Sequence, residues 1–250
     1  MLAAYREAGH VTVPGVFAPA EMDALVADIE CWGEEFLADL PVDQRRWYVD
    51  AGASRPRGDA GVKARDVLRK LDNPHHHRAS VGALAHDPRL VRLVESFIGP
   101  GVSVYFSQVF FKAPEGGGPK PAHQDNFYFG PRDPEALVTA WVALDDATPE
   151  NGCLYFGDGT HRFAVMPHIA PEGEPFNLQI PVQALSPLKM SAAPVPKGGV
   201  SFHHGGTVHQ SGVNLSTRWR RACALHYVSN ANAFTSPALP YDAQAFLRIT

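Results

Sequence analysis

Two residues with metal-binding side chains, His123 and Asp125, are separated only by Gln124. In a β-strand, residues two positions apart point to the same face, so this imidazole and this carboxylate can reach one metal ion together. A single pair is weak support, because a chain with 12 histidines contains such a match by chance about once. A third ligand elsewhere in the chain is therefore needed.

A second group of histidines, His203, His204 and His209, lies in the segment Phe202–Gly212. One of them on a neighbouring strand would complete a set of two histidines and one carboxylate. That set leaves three coordination positions open and is typical of non-haem iron(II) oxygenases. Zinc sites with three protein ligands also exist, so the ligand types alone do not identify the metal. His203 and His204 alternate across a strand, so at most one of them faces the site.

Arg220 follows His209 by 11 residues, which is enough chain to cross a turn and return on the next strand. A guanidinium group can bind a carboxylate through two hydrogen bonds. A buried arginine facing an iron site is what a dicarboxylate co-substrate such as 2-oxoglutarate requires. Arg218 and Arg221 are alternatives, but Arg221 should point to the other face of the strand.

The elements that position these residues change character near Pro100. Apolar residues at helical spacing predict a helix from Pro19 to about Leu40 and another from Asp87 to Phe97. After Pro100, β-branched and aromatic runs alternate with Gly/Pro turns, which predicts many short strands. The predicted strands are Val102–Lys112, Leu137–Leu144, Cys153–Phe156, Val200–His204 and Ala222–Val228.

This order of elements predicts a mainly β fold with flanking helices, a double-stranded β-helix of the jelly-roll or cupin-like kind. No shift in composition marks a linker, so we expect one domain over residues 1–250. Its helical part would cover about residues 1–100 and its jelly-roll core about residues 101–230.

The composition excludes several classes of protein. Of the 250 residues, 45% are hydrophobic and 19% are charged, which argues against intrinsic disorder. The net charge of −4 argues against nucleic-acid binding. No apolar run is long enough to span a membrane, and the first ten residues do not resemble a signal peptide. The three cysteines, Cys31, Cys153 and Cys223, predict reduced core residues in a cytoplasmic protein.

Five blocks of sequence resemble the phytanoyl-CoA dioxygenase family of Fe(II)/2-oxoglutarate-dependent oxygenases. The resemblance covers most of the chain and is strongest from about Val102 to Val228. The order and the spacing of the blocks both match. The blocks are HQDNFYF (123–129), TAWVALDDATPENGCL (139–154), GTHR (159–162), KGGVSFHHGGTVHQSGVN (197–214) and RRACALHY (220–227).

The resemblance implies a role for individual residues. It implies His123, Asp125 and His209 as the iron ligands, with His209 favoured over its neighbours by its spacing to the arginine. It implies Arg220 as the anchor for the far carboxylate of 2-oxoglutarate. Further contacts to the co-substrate are implied for Ser211, Trp141, Gln108 and Lys70.

The implied activity is that of an oxygenase that uses Fe(II), 2-oxoglutarate and O2 and releases succinate and CO2. Halogenases of this superfamily lack the carboxylate ligand, so the presence of Asp125 favours hydroxylation of an unactivated C–H bond. Ring closure, desaturation and epimerisation remain alternatives. We expect a small polar molecule or a natural-product intermediate as substrate. A non-catalytic binding protein and a zinc hydrolase are the rival classes.

Three further features have two interpretations each. The polar segment 41–80, with Arg45, Arg46, Arg55, Arg57 and Arg65, is either a functional lid or a surface excursion. His75, His76 and His77 are consecutive and predict a solvated loop rather than a metal site. Either Phe127 or Tyr128 should face the substrate cavity, and we favour Tyr128.

Overall fold

The computed structural model of the protein describes residues 1–50, 64–172 and 177–250. Its N-terminal part is helical, and the longest helix begins at Pro19, a residue suited to the first turn of a helix. One side of this helix buries Met22, Leu25, Ile29 and Trp32 in the main hydrophobic core. The helices of the described ranges are α1 (Leu2–Ala8), α2 (Pro19–Asp39), α3 (Arg45–Tyr48), α4 (Pro74–His77), α5 (Ala79–His86), α6 (Pro88–Ile98), α7 (Asp125–Phe129) and α8 (Val182–Leu185).

The larger of two antiparallel sheets packs against these helices. Its strands are β1 (His10–Val13), β2 (Lys70–Asp72), β3 (Val102–Lys112), β5 (Leu137–Ala143), β8 (Val200–His204), β10 (Arg220–Ser229) and β11 (Leu247–Arg248). They pair in the order β1-β8-β5-β10-β3-β11, and β2 also pairs with β3. The long central strands β3, β5 and β10 therefore form a continuous floor.

The smaller sheet lies opposite this floor. Its strands are β4 (Lys120–His123), β6 (Leu154–Gly157), β7 (Met190–Ala193) and β9 (His209–Ser211), paired in the order β4-β9-β6-β7. Trp141 and Ala224 of the larger sheet pack with Leu154 and Phe156 of the smaller one. Two facing antiparallel sheets with helices on the outside confirm the predicted jelly-roll fold.

Strand β5 shows how alternation separates the two faces of the larger sheet. Val138, Ala140 and Val142 point outward into the core that the helices cover. Thr139 and Trp141 point inward and line a cavity between the sheets. Because both faces are covered, the strand is buried along its whole length. The hydroxyl of Thr139 therefore needs a hydrogen-bond partner inside the protein.

The predicted helices and strands are confirmed, with ends that move by a few residues. Asp87 caps α6 by accepting a hydrogen bond from the backbone N–H of Arg89 at 2.8 Å, which places the helix start where the sequence predicts it. Several short elements were not predicted, among them helices α1 and α5 and strands β1 and β7, because a short segment shows little periodicity. None of the described helices has the length and apolar character that crossing a bilayer requires.

Two predictions about His75 and Cys31 are wrong. His75 is not in a solvated loop: it lies in α4 and is buried, with Nδ1 2.5 Å from Ser107 Oγ and Nε2 2.5 Å from the carbonyl of Ala245. It therefore ties α4 to β3 and to the C-terminal segment. Cys31 is exposed because it lies on the solvent side of α2, whereas Cys153 and Cys223 are buried.

The segment 41–80 contains helix α3 and strand β2. Its residues Trp47 and Tyr48 line the cavity, and Arg65 forms an ion pair with Glu30 at 2.9 Å. The described part of this segment thus contacts α2 through Arg65 and lines the cavity through Trp47 and Tyr48. Arg55 and Arg57 lie outside the described residues.

Candidate metal centre and adjoining cavity

The structure brings together the side chains of His123, Asp125 and His209. His123 ends β4 and His209 begins β9, and these two residues are direct partners in the pairing of the two strands. The Nε2 atoms of both histidines lie 3.8 Å from Asp125 Oδ1, and all three groups offer a ligand atom within 4.8 Å of the others. The prediction that His123 and Asp125 share one strand is wrong, because Asp125 begins α7.

Both imidazoles are held in the orientation that a metal requires. The Nδ1–H of His123 donates to the carbonyl of Pro121 at 2.8 Å, and that of His209 donates to the carbonyl of Thr207 at 3.0 Å. These bonds leave each Nε2 lone pair directed at the carboxylate of Asp125. Burial lowers the pKa of His123 well below its usual value and that of His209 to about 4, so both rings are neutral.

The second oxygen of Asp125 is bound by a separate network. Oδ2 accepts a hydrogen bond from the Thr139 hydroxyl at 2.6 Å and another from His203 Nε2 at 3.2 Å. Since the Thr139 hydroxyl donates to Asp125, it accepts from His226 Nδ1, 2.8 Å away. Burial by itself would raise the pKa of Asp125, but His209, His226 and His203 lower it well below its usual value. The carboxylate is thus ionised, with Oδ1 directed toward the histidines.

No role was predicted for Thr139 or His226, and His203 was considered only as an alternative to His209. These three residues occupy one row across adjacent strands, since Thr139 pairs with His203 on one side and with His226 on the other. The inward alternation of each strand was visible in the sequence, but the register that aligns them was not. His204 points away from the cavity, in agreement with the expectation that only one of the two adjacent histidines faces it.

The donor set fits a divalent transition metal such as iron(II). It combines two neutral imidazoles with one ionised carboxylate, and the ring nitrogens opposite the ligand atoms are fixed by backbone carbonyls. All three ligand side chains are buried yet line the cavity, so the remaining coordination positions would face it.

Arg220 lies on the cavity face of β10 and is 2% exposed. One guanidinium N–H donates to the carbonyl of Gly152 at 2.8 Å, while Nε has no partner in the part of the chain that the structure describes. The guanidinium lies 5.4 Å from the ring centre of Trp141. Burial lowers its pKa to about 9. Arg218 is exposed, and Arg221 points the other way, toward Asp145.

The remaining residues predicted to contact the co-substrate all line the same cavity of about 490 Å³: Ser211, Trp141, Gln108 and Lys70. Lys70 and Gln108 are both bound to Asp72, with Nζ of Lys70 2.9 Å and Nε2 of Gln108 2.7 Å from its carboxylate oxygens. In this structure both side chains are therefore held at the edge of the cavity by a shared carboxylate.

A buried lysine, Lys112, also faces the cavity and was not predicted. It ends β3, lines the cavity beside Arg220 and donates to the carbonyls of Gly118 and Gly212. Burial first, and then the charge of Arg220, lower the pKa of Lys112 to about 6. The available signal was alternation from Gln108, which places Lys112 on the same face four residues later.

Aromatic side chains cover another side of the cavity. They include Tyr128, as predicted, together with Phe106, Phe129 and Tyr241. Phe127 instead stacks on His168, with 3.9 Å between ring centres. The aromatic side chains form an apolar wall beside the ligand set, on which the body of a small organic molecule can pack.

Comparisons with known proteins agree with this geometry. A family model described as "Phytanoyl-CoA dioxygenase (PhyH)" matches residues 5–222. "Phytanoyl-CoA dioxygenase domain-containing protein 1" of Danio rerio is 26% identical over 263 residues, which cover 93% of this chain and 90% of the relative. The "Probable alpha-ketoglutarate-dependent hypophosphite dioxygenase" of Stutzerimonas stutzeri is 30% identical over 167 residues, 65% of this chain and 58% of the relative.

A solved structure shares the fold. The epimerase SnoN, in complex with Fe3+, alpha ketoglutarate and nogalamycin RO, superposes with a TM-score of 0.73 at 23% identity, over 95% of this chain and 86% of that chain. The family model covers most of the sequence and the fold matches. The chain belongs to the phytanoyl-CoA dioxygenase family of iron(II)- and 2-oxoglutarate-dependent oxygenases.

Proposed function

We propose that this protein hydroxylates an unactivated C–H bond of a small molecule, with iron(II) held by His123, Asp125 and His209. The observation that carries the proposal is that a candidate set of metal ligands and a buried arginine line the same cavity. Two buried imidazoles direct Nε2 at one carboxylate oxygen, and a buried arginine without a carboxylate partner among the described residues lines the same space.

Each of these residues has a distinct task. When bound, iron(II) and 2-oxoglutarate supply the activation of O2, with release of succinate and CO2. Arg220 binds the far carboxylate of the co-substrate, and the hydroxyl of Ser211, which lines the same cavity, is the second donor. Trp141 packs against the guanidinium and keeps it away from water. Asp125 occupies the position that a halide would need, which favours hydroxylation.

The substrate is proposed to be a natural-product intermediate or another small metabolite. Phe106, Phe129 and Tyr241 offer flat apolar surfaces, while Lys120 and Asn177, hydrogen-bonded to each other at 2.9 Å, add polar groups to the lining. A molecule with an apolar body and some polar substituents fits this lining best. Solved structures with this fold include the epimerase SnoN and the carbocyclase SnoK, so epimerisation and ring closure are alternative outcomes of the same site, as is desaturation.

A small-molecule enzyme of this kind would work as one domain in the cytoplasm. The helices and the larger sheet share one hydrophobic core, which supports a single folding unit. All three cysteines are free thiols, which supports a reducing compartment. The net charge of −4 supports a partner other than a nucleic acid.

The experiment that tests the proposal is an anaerobic titration of the metal-free protein with Fe(II) and 2-oxoglutarate. A keto acid that chelates an open Fe(II) site gives a weak visible charge-transfer band, and we expect this band in the wild type. His209→Ala should abolish it, whereas the control His86→Ala, at an exposed histidine, should retain it. Metal binding without the band would favour the zinc hydrolase or the binding protein.

A further inference from the structure

Lys112 and Arg220 are direct partners in the pairing of β3 with β10, and both side chains line the same end of the cavity. They are 4% and 2% exposed. Like charges opposite each other on neighbouring strands are unfavourable, and burial removes the water that would screen them. Two positive charges can persist here only when an anion lies beside both groups; without one, the Lys112 amine loses its proton more easily.

The described residues provide no such anion, because neither Lys112 nor Arg220 forms an ion pair with a carboxylate among them. Three acidic groups act at longer range, Asp50 on Lys112 and both Cys153 and Asp145 on Arg220. Burial raises the pKa of the Cys153 thiol, which keeps it neutral. Asp50 accepts a hydrogen bond from a backbone N–H at 2.8 Å, and Asp145 is paired with Arg221 at 2.7 Å. Among the described residues, no carboxylate therefore contacts either group directly, and Asp50 acts on Lys112 only at longer range.

Both cations are also held rigidly. Lys112 donates to the carbonyls of Gly118 and Gly212, the latter at 2.6 Å, which uses two of the three N–H groups of an ammonium. Gly152 accepts from Arg220 and leaves no room for a side chain, since a Cβ there would lie 2.5 Å from the carbonyl oxygen of Gly212. The third N–H of the Lys112 ammonium and the Nε–H of Arg220, which is buried without a partner among the described residues, are both available to a ligand.

We propose that Lys112 is a second cationic contact for the far carboxylate of 2-oxoglutarate, beside Arg220. The inference rests on the proposed function, because it assumes that 2-oxoglutarate is bound with its far carboxylate at this end of the cavity. The two cations together select a keto acid that carries a second carboxylate.

Binding should then be coupled to the uptake of a proton. Burial and Arg220 lower the pKa of Lys112 to about 6, with Asp50 acting in the opposite direction, so near neutral pH much of the free protein has a neutral Lys112. A carboxylate placed beside the amine favours the ammonium form and raises this pKa. Arg220, with a pKa of about 9, is charged throughout.

The test uses calorimetric titration of the full chain loaded with Mn(II), which does not react with O2 as Fe(II) does. Two ligands are compared: 2-oxoglutarate, and 2-oxopentanoate, which has the same keto-acid end but lacks the far carboxylate. The variants are Lys112→Met, which removes the charge, and Lys112→Arg, which keeps it. Lys189→Met, at an exposed lysine, is the control. Titrations in two buffers of different ionisation enthalpy measure proton uptake.

We expect Lys112→Met to weaken 2-oxoglutarate binding by about tenfold to hundredfold, the effect of one lost hydrogen bond between charged groups. Binding of 2-oxopentanoate should be unchanged, Lys112→Arg should recover most of the affinity, and proton uptake should vanish in both variants. Equal binding of 2-oxoglutarate by Lys112→Met and the wild type would overturn the inference, and so would an equal loss of both ligands. Failure of the wild type to bind 2-oxoglutarate would overturn the proposed function instead.

Discussion

Replacing Thr139 with valine tests how the second oxygen of Asp125 controls the metal centre. Valine has the shape of threonine but lacks the hydroxyl, which donates to Asp125 Oδ2 at 2.6 Å and accepts from His226 Nδ1 at 2.8 Å. The substitution therefore removes one hydrogen bond to a buried carboxylate and takes away the acceptor of a buried imidazole. His203 still donates to the same oxygen at 3.2 Å.

The size of the effect follows from these contacts. A hydrogen bond to a charged group contributes about 1.5–3 kcal/mol, and an unpaired buried donor costs about 1–3 kcal/mol. His226 Nδ1 lies 3.5 Å from Asp125 Oδ2 and can move toward it, which recovers part of the loss. We expect Thr139→Val to lower the free energy of unfolding of the metal-free protein by about 2 kcal/mol and its affinity for Fe(II) by about tenfold to hundredfold.

Competition with a chromophoric chelator under anaerobic conditions measures the affinity, and urea unfolding of the metal-free protein measures the stability. Thr139→Ser is the matched control, because serine restores the hydroxyl without the methyl group, and it should bind Fe(II) nearly as well as the wild type. If Thr139→Val binds Fe(II) as tightly as the wild type, the network on Oδ2 does not orient Asp125, and the reasoning fails.

Three further predictions concern the cavity floor, the pH dependence and the core. Ala224→Leu should weaken 2-oxoglutarate binding at least about tenfold in a calorimetric titration but leave Fe(II) binding intact, because the larger side chain fills a buried part of the floor. The pKa of His209 is about 4 in the folded protein and higher in the unfolded chain, so the unfolded chain binds more protons between these values. Urea unfolding of the metal-free protein should therefore show a free energy of unfolding that decreases as the pH is lowered from about 6.5 to about 4. Tyr227→Phe removes a hydrogen bond of 2.8 Å to the carbonyl of Ala85 and should lower the thermal midpoint, with a loss of about 1 kcal/mol.

Local patterns account for the parts of the site that were predicted. His123 and Asp125 are two positions apart in sequence, so their proximity can be predicted without the fold, whereas their relative orientation cannot. The prediction of a shared strand failed because Asp125 begins a short helix, α7. Arg220 could be distinguished from Arg221 because strand alternation alone decides which of two neighbours faces the cavity.

The residues of the site that were not predicted are brought together by the pairing of strands that are distant in sequence. Thr139 and His226 are 87 positions apart and meet only through the register of β5 with β10. Lys112 and Arg220 are likewise brought together only by the pairing of β3 with β10. A single sequence shows which face each residue occupies along its own strand, but it does not show which strands are neighbours. The residues around the ligands were therefore harder to find than the ligands themselves.

The register of β10 also accounts for how one cavity could serve both the metal and the far carboxylate, as the proposed function requires. His226 is paired with Thr139 at the metal centre, Ala224 and Ala222 follow at successive inward positions, and Arg220 comes last. The small side chains of the two alanines leave the cavity open between His226 and Arg220. The long side chain of Arg220 extends over the ring of Trp141. The separation of the Thr139–His226 pair from Arg220 is thus set by the geometry of one strand. A keto acid of the wrong length would satisfy one end of this cavity only.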